Sequence, residues 1–172
     1  MKRISLLALA GWAVLAQAAD VVPENLRAPQ TQWMLIEAKA TGVQIYECSP
    51  GKADSAKYEW AFKGPEAELF DGKGVKVGKH YGGPTWESND GSKVVGEVKS
   101  RADSTDAYAI PWLLLNAKST SGTGIFSKTQ SIQRLETSGG KAPAGGCDKA
   151  QAGREARVPY KATYYFYGPK PN

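Results

Sequence analysis

Apolar and polar residues alternate along much of this chain, and few segments repeat at helical spacing. Val43 to Cys48 is the clearest case. Val43, Ile45 and Glu47 face one way, and Gln44, Tyr46 and Cys48 the other, which is the period of a strand. Tyr58 to Lys63 puts Tyr58, Trp60 and Phe62 on one face. Val158 to Tyr167, VPYKATYYFY, is strongly strand-forming. Tyr160, Ala162, Tyr164 and Phe166 share one face, and Lys161, Thr163, Tyr165 and Tyr167 the other. Ala109 to Asn116 reads as a buried central strand with Pro111 at its start. Ile125 to Thr137 reads as one long strand anchored by Ile132 and Leu135.

Turn residues punctuate these runs. Thr41-Gly42 suggests a hairpin between Trp33–Ala40 and Val43–Cys48, and Gly64-Pro65 is expected to break the strand that starts at Tyr58. Asp71-Gly-Lys-Gly74, Gly82-Gly83-Pro84 and Asn89-Asp90-Gly91-Ser92 are tight-turn signals, the last of hairpin type. Ser138 to Gly153 is a long Gly-, Ala- and Pro-rich loop. About eight or nine short strands predict an all-β fold, a single-domain antiparallel barrel or sandwich with long loops. The alternative is α+β, with a helix over Thr31 to Ala40, since Trp33–Ala40 fits either period.

The N-terminus changes the compartment. Lys2 and Arg3 precede an apolar run from Ile4 to Leu15, followed by Ala16-Gln17-Ala18, a small-x-small cleavage pattern. Residues 1–19 read as a removed signal peptide, and 20–172 as one β-rich domain. No later segment is apolar enough for a spanning helix. The expectation is an exported protein, periplasmic or extracellular. Two cysteines, Cys48 and Cys147, then suggest one disulfide, because an oxidising compartment favours pairing.

Charge excludes more than it assigns. The chain carries 22 basic and 17 acidic residues, a formal +5. Without Lys2 and Arg3 the excess is smaller still. With no recognisable motif, this argues against nucleic acid as a partner. Lys73, Lys76, Lys79, Lys93, Lys99 and Arg101 read most simply as protection of exposed strand edges. One histidine and two distant cysteines give no zinc spacing, so no metal is expected. No phosphate-binding loop and no nicotinamide fingerprint occur, so no cofactor is expected and a nicotinamide-dependent dehydrogenase is excluded.

Gly78 to Val98, GKHYGGPTWESNDGSKVVGEV, holds most of the remaining candidate chemistry. His80 is the only histidine and a candidate general acid or base. Glu87 and Asp90 are candidate catalytic carboxylates, although Asp90 is also a turn residue before Gly91. The simpler reading of His80 is a half-buried histidine bonded to strand or loop. Trp60 and Trp112 read as core, whereas Trp86 beside Pro84, Glu87 and Asn89 reads as nearer the surface. His80, Tyr81, Trp86 and Glu87 are therefore the candidate binding residues.

Ordered blocks carry a resemblance. Gly42-Val-Gln-Ile-Tyr-Glu-Cys48, Gly78-Lys-His80-Tyr-Gly-Gly-Pro84-Thr-Trp86-Glu, Asp90-Gly-Ser-Lys-Val-Val-Gly96 and Trp112-Leu-Leu-Leu115 come first. Ile132-Gln-Arg134, Cys147 and Val158-Pro-Tyr160 follow. Together they resemble a secreted bacterial and fungal family, domain of unknown function 3455, over nearly all of the mature chain. The resemblance implies an exported single domain and no particular activity. Some fungal members carry a malate-dehydrogenase label, which the missing dinucleotide fingerprint contradicts. A shorter likeness, through Tyr46-Glu-Cys48 and the Glu66-to-Lys73 run, is to the small β-barrel inhibitors of c-type lysozyme.

The leading expectation is a non-catalytic binding module for cell-wall or matrix polysaccharide, or for a protein partner in the envelope. A small exported hydrolase using His80 or Glu87, and an envelope inhibitor of lysozyme-inhibitor type, are the alternatives.

Overall fold

Gln32 to Pro50 forms one strand, β1, of 19 residues. The Thr41-Gly42 hairpin expected from the sequence is not there, nor is a helix over Thr31–Ala40. Gly42 serves close approach instead. A Cβ at this position would stand 2.2 Å from the Glu66 carbonyl oxygen and 2.4 Å from the Ala67 Cα. Only glycine lets the neighbouring strand pass at that distance.

The computed structural model describes residues 21–170. The signal-peptide reading of residues 1–19 lies outside them. Seven further strands follow: β2 (Tyr58–Phe70), β3 (Lys76–Tyr81), β4 (Thr85–Ser88), β5 (Lys93–Ala102), β6 (Trp112–Ser121), β7 (Ser131–Gly139) and β8 (Glu155–Pro169). Each pairs antiparallel with the next, and β8 pairs with β1, so the sheet closes into an eight-stranded barrel. Closure leaves no free edge strand and an interior just wide enough for side chains or one small ligand. The only helical pieces among the described residues are 3₁₀ turns at Glu24–Leu26 and Lys149–Gln151.

Two other expectations are corrected. Gly64-Pro65 does not end β2, which runs through it to Phe70. The register with β1 shifts beside it, between Ile45 and Tyr46, so an irregularity absorbs the glycine and proline without breaking the strand. Ile125 to Gln130 belongs to a connecting loop, and β7 begins only at Ser131.

That loop plugs one end of the barrel. Phe126 is wholly buried, with its ring 4.5 Å from that of Phe166. The Phe126 N–H donates to Ser92 Oγ at 3.1 Å. The Ile125 N–H donates to Asp90 Oδ2 at 2.9 Å. The other end carries the longest connection, residues 140–154, together with residues 103–111. Cys48 and Cys147 meet there at disulfide distance, with Sγ atoms 2.09 Å apart. Their pairing ties the long loop to the end of β1. The Trp60 indole N–H also donates to the Gly146 carbonyl at 2.7 Å, which leaves Trp60 half-buried against this loop, outside the core proposed for it.

The core is luminal. Ala38, Ala40, Leu69, Val94, Leu115 and Ile132 surround the buried rings of Trp86, Tyr164 and Phe166. A separate patch lies outside the sheet, where Leu26 of the first 3₁₀ turn covers Trp112, Leu114 and Leu135. Trp112 is therefore core, but of this outer patch. Ile132 and Leu135 are both anchors, one in each cluster, because an odd spacing places them on opposite faces.

Outward positions carry charge. Lys63 pairs with Glu47 at 3.1 Å, Arg157 with Glu66 at 2.9 Å, and Lys76 with Glu68. Exposed pairs of this kind each stabilise by at most about 1 kcal/mol. Their placement differs from the apolar band that a lipid-facing barrel presents. No helix among the described residues is long and apolar enough to cross a membrane.

Candidate functional site

The β3–β4 hairpin turns tightly through Gly82-Gly83-Pro84, and its register puts His80 directly opposite Trp86. Both side chains point into the barrel and are almost fully buried. Their rings stack 4.3 Å apart and 9° from parallel. The Tyr164 ring meets both edge-on, at 5.1 Å from His80 and 5.3 Å from Trp86. Trp86 is thus inside the barrel, not near the surface as its polar neighbours suggested. Those neighbours alternate to the outer face.

His80 Nδ1 lies 2.8 Å from the Thr85 carbonyl oxygen. A carbonyl only accepts, so Nδ1 carries the proton. Burial, opposed by that hydrogen bond and aided by the charge of Arg134, pushes the histidine pKa down from 6.5 to about 3. The ring is neutral at physiological pH.

Arg134 on β7 sits beside Tyr164 in the β7–β8 register and beside Leu113 in the β6–β7 register. Its Nε and Nη2 both donate to the Pro111 carbonyl, at 3.1 and 2.8 Å. It makes no ion pair among the described residues. Its charge opposes the effect of burial at Tyr46, Tyr160 and Tyr164, where desolvation raises each phenol.

These side chains line a cavity of about 500 Å³ that opens at the end of the barrel carrying the long loops. Gln44, His80, Trp86, Leu115, Arg134 and Tyr164 line its inner part; Phe62, Lys63, Pro84, Val98, Arg101 and Pro111 surround the mouth. Three lining residues carry buried polar atoms without a partner among the described residues: Gln44 Nε2, Trp86 Nε1 and the Tyr164 hydroxyl. The Tyr160 hydroxyl, next to Tyr164, is also unpaired. Tyr160 and Arg134 both act on the Tyr164 hydroxyl, yet among the described residues neither meets it in hydrogen-bond geometry. Buried polar groups are normally satisfied, and three of the six unpaired side-chain atoms among the described residues, Trp112 Nε1 and Thr129 Oγ1 being two of those elsewhere, lie in this one cavity.

The remaining candidates lie elsewhere. On the outer face the Tyr81 hydroxyl donates to Glu87 Oε2 at 2.8 Å. Lys93 and Lys79 stand 3.2 and 3.6 Å from the same carboxylate. The tyrosine bond and the lysines hold Glu87 below the usual carboxylate range, and the shared bond raises Tyr81. Asp90 caps its turn, accepting from the Ser92 N–H at 2.8 Å and the Ser92 hydroxyl at 2.6 Å. With the Ile125 N–H these bonds lower its pKa to about 2. His80 and Trp86 therefore share the lumen, Tyr81 and Glu87 share the outer face, and Asp90 anchors the plug.

Gln44, Tyr46, Arg134 and Tyr164 were not singled out from the sequence as site residues. A signal existed for Arg134. With Ile132 facing inward, a period of two puts Arg134 inward as well.

Among the described residues no three His, Cys, Asp or Glu side chains converge. The lumen offers nitrogen and hydroxyl donors rather than a ligand set for a metal ion.

A family model described as "Protein of unknown function (DUF3455)" matches residues 29–168. The chain belongs to the DUF3455 family. No curated protein and no solved structure matches it. The DUF3455 match spans the barrel from just before β1 to within one residue of the end of β8, and so contains every residue lining the lumen.

Proposed function

We propose that this DUF3455 protein is an exported, non-catalytic binding protein that takes a small organic ligand into the mouth of its barrel. One observation carries the reading: a cavity of about 500 Å³ whose lining leaves Gln44 Nε2, Trp86 Nε1 and the Tyr164 hydroxyl unpaired. That volume suits a drug-sized molecule, and apolar walls with a few convergent polar groups are the common makeup of a ligand site. Export is supported by the leader pattern of residues 1–19 and by the Cys48–Cys147 pair.

The hydrolase alternative has less support. A general acid or base needs a pKa near the working pH and a partner to orient it. His80 titrates near 3 and bonds a backbone carbonyl. Glu87 lies on the opposite face of the hairpin and is held ionised by Tyr81 and two lysines. A polysaccharide-binding surface would have to use outer residues such as Tyr81, since His80 and Trp86 are enclosed.

The test is isothermal titration with neutral and charged aromatic and alicyclic compounds, on the wild type and on Val98→Trp. Val98 lies at the mouth and is half-exposed, so the larger ring narrows access without altering the core. Binding that is present in the wild type and weakened in the variant supports the reading. No heat from any small compound, with binding to whole polysaccharide intact, would move the site to the outer face.

A further inference from the structure

We infer that the ligand of the lumen is an organic anion, a carboxylate or similar oxyanion on an apolar ring, and that Arg134 receives its charge. The inference rests on the lumen being a ligand site and adds the chemistry of the ligand.

Charge is the first argument. The cavity lining contains Lys63, Arg101 and Arg134 and no acidic residue. Lys63 is already paired with Glu47 on the outer face. Arg134 and Arg101 are in no ion pair among the described residues. A guanidinium held in a partly dry barrel without a counter-charge is unfavourable unless something supplies one. Its bonds to the Pro111 carbonyl engage Nε and Nη2 only. These bonds fix the plane of the fork beside Tyr164, whose hydroxyl the guanidinium also influences, and they do not engage Nη1. A guanidinium so fixed suits an oxyanion.

Hydrogen-bond polarity is the second and independent argument. The unpaired atoms of Gln44 and Trp86 are N–H donors, and the Tyr164 hydroxyl can donate. A neutral ligand rich in donors would leave them unmatched. A ligand head with several acceptor lone pairs satisfies them together. Phe62, Val98, Ile110 and Leu113 then provide an apolar wall for the rest of the molecule.

The experiment compares benzoate, 2-naphthoate and cyclohexanecarboxylate with their own primary amides at pH 7, by titration calorimetry on the full mature chain. The amide keeps the shape and loses the charge. At least one acid is expected to bind about tenfold or more tighter than its amide, the worth of one charge-assisted contact. Arg134→Met should weaken acid binding more than amide binding and bring the acid-to-amide ratio close to one. Arg134→Lys should restore part of it, since it keeps the charge and loses the fork. Should Arg134→Met fail to fold, the acid–amide comparison on the wild type and Arg134→Lys still decides. An amide that binds as tightly as its acid overturns the anion assignment and leaves the ligand site standing. Absence of binding by all six compounds overturns both.

Discussion

His80 and Trp86 face each other across the β3–β4 hairpin, rings stacked at 4.3 Å, inside a closed barrel. The only histidine of the chain is thereby kept neutral. This has a consequence for stability. The histidine titrates near 6.5 when unfolded and near 3 when folded, so the unfolded state binds the extra proton between those values. Stability should therefore be intact above pH 6.5 and fall as the pH drops below it, by about 1.4 kcal/mol per pH unit. Urea unfolding at pH 7, 6 and 5 checks the slope before carboxylate titration takes over. His80→Phe keeps a ring against Trp86 and should flatten the curve in that window. An equal slope in both proteins would mean that the histidine is not buried as described.

Gly96 tests the packing of the same pair. A Cβ there would stand 2.9 Å from Trp86 Cζ3 and 3.1 Å from Leu115 Cδ2. Gly96→Ala should cost about 1–3 kcal/mol, the range for overpacking a filled core. Gly72→Ala, where the new Cβ meets nothing within 4 Å, should fall within about 0.5 kcal/mol of wild type. Equal midpoints for the two variants in a denaturant titration would contradict this.

Asp90 holds the plug. Its carboxylate accepts from Ser92 and from the Ile125 N–H, and Phe126 follows directly into the core. Asp90→Ala should destabilise by about 1–2 kcal/mol, a modest figure because the residue is exposed. Phe126→Ala should cost about 3–5 kcal/mol. Hydrogen exchange should show the Asp90→Ala loss concentrated at residues 122–130. The aspartate titrates near 2 in the folded chain, so its contribution is present above the unfolded value and fades only below about pH 4.

Reduction tests the cross-link. Cys48 and Cys147 are 99 positions apart. In the chain-entropy picture closing a loop of that length stabilises by up to about 4–5 kcal/mol. Cys48→Ser with Cys147→Ser, or reductant alone, should lower the unfolding midpoint and loosen residues 140–154 ahead of the barrel. A midpoint indifferent to reductant would mean that the pair does not form in solution.

The all-β class, the strand parity of Val158–Tyr167 and the turns at 82–84 and 89–92 were legible because they depend on neighbouring residues. Tyr160, Ala162, Tyr164 and Phe166 alternate inward as their spacing demanded. Two of the misreadings involve glycine and proline. Thr41-Gly42 and Gly64-Pro65 looked like ends of strands. Both lie within strands, where another strand passes too close for a side chain or where a register shift absorbs the irregularity. Local sequence does not distinguish a glycine that turns from one that makes room.

The sequence by itself determined the all-β class, the turns at 82–84 and 89–92 and the pair of cysteines available to each other. Those follow from backbone period, turn chemistry and residue count. Tertiary structure alone decided that the strands close into a barrel, and which side of each strand is the inside. Closure made the lumen, brought Arg134, Tyr164, Gln44 and Trp86 together from four different strands, and set His80 and Glu87 on opposite faces of one hairpin. Alternation divides a strand into two faces, but only the packing of all eight strands determines which face is dry.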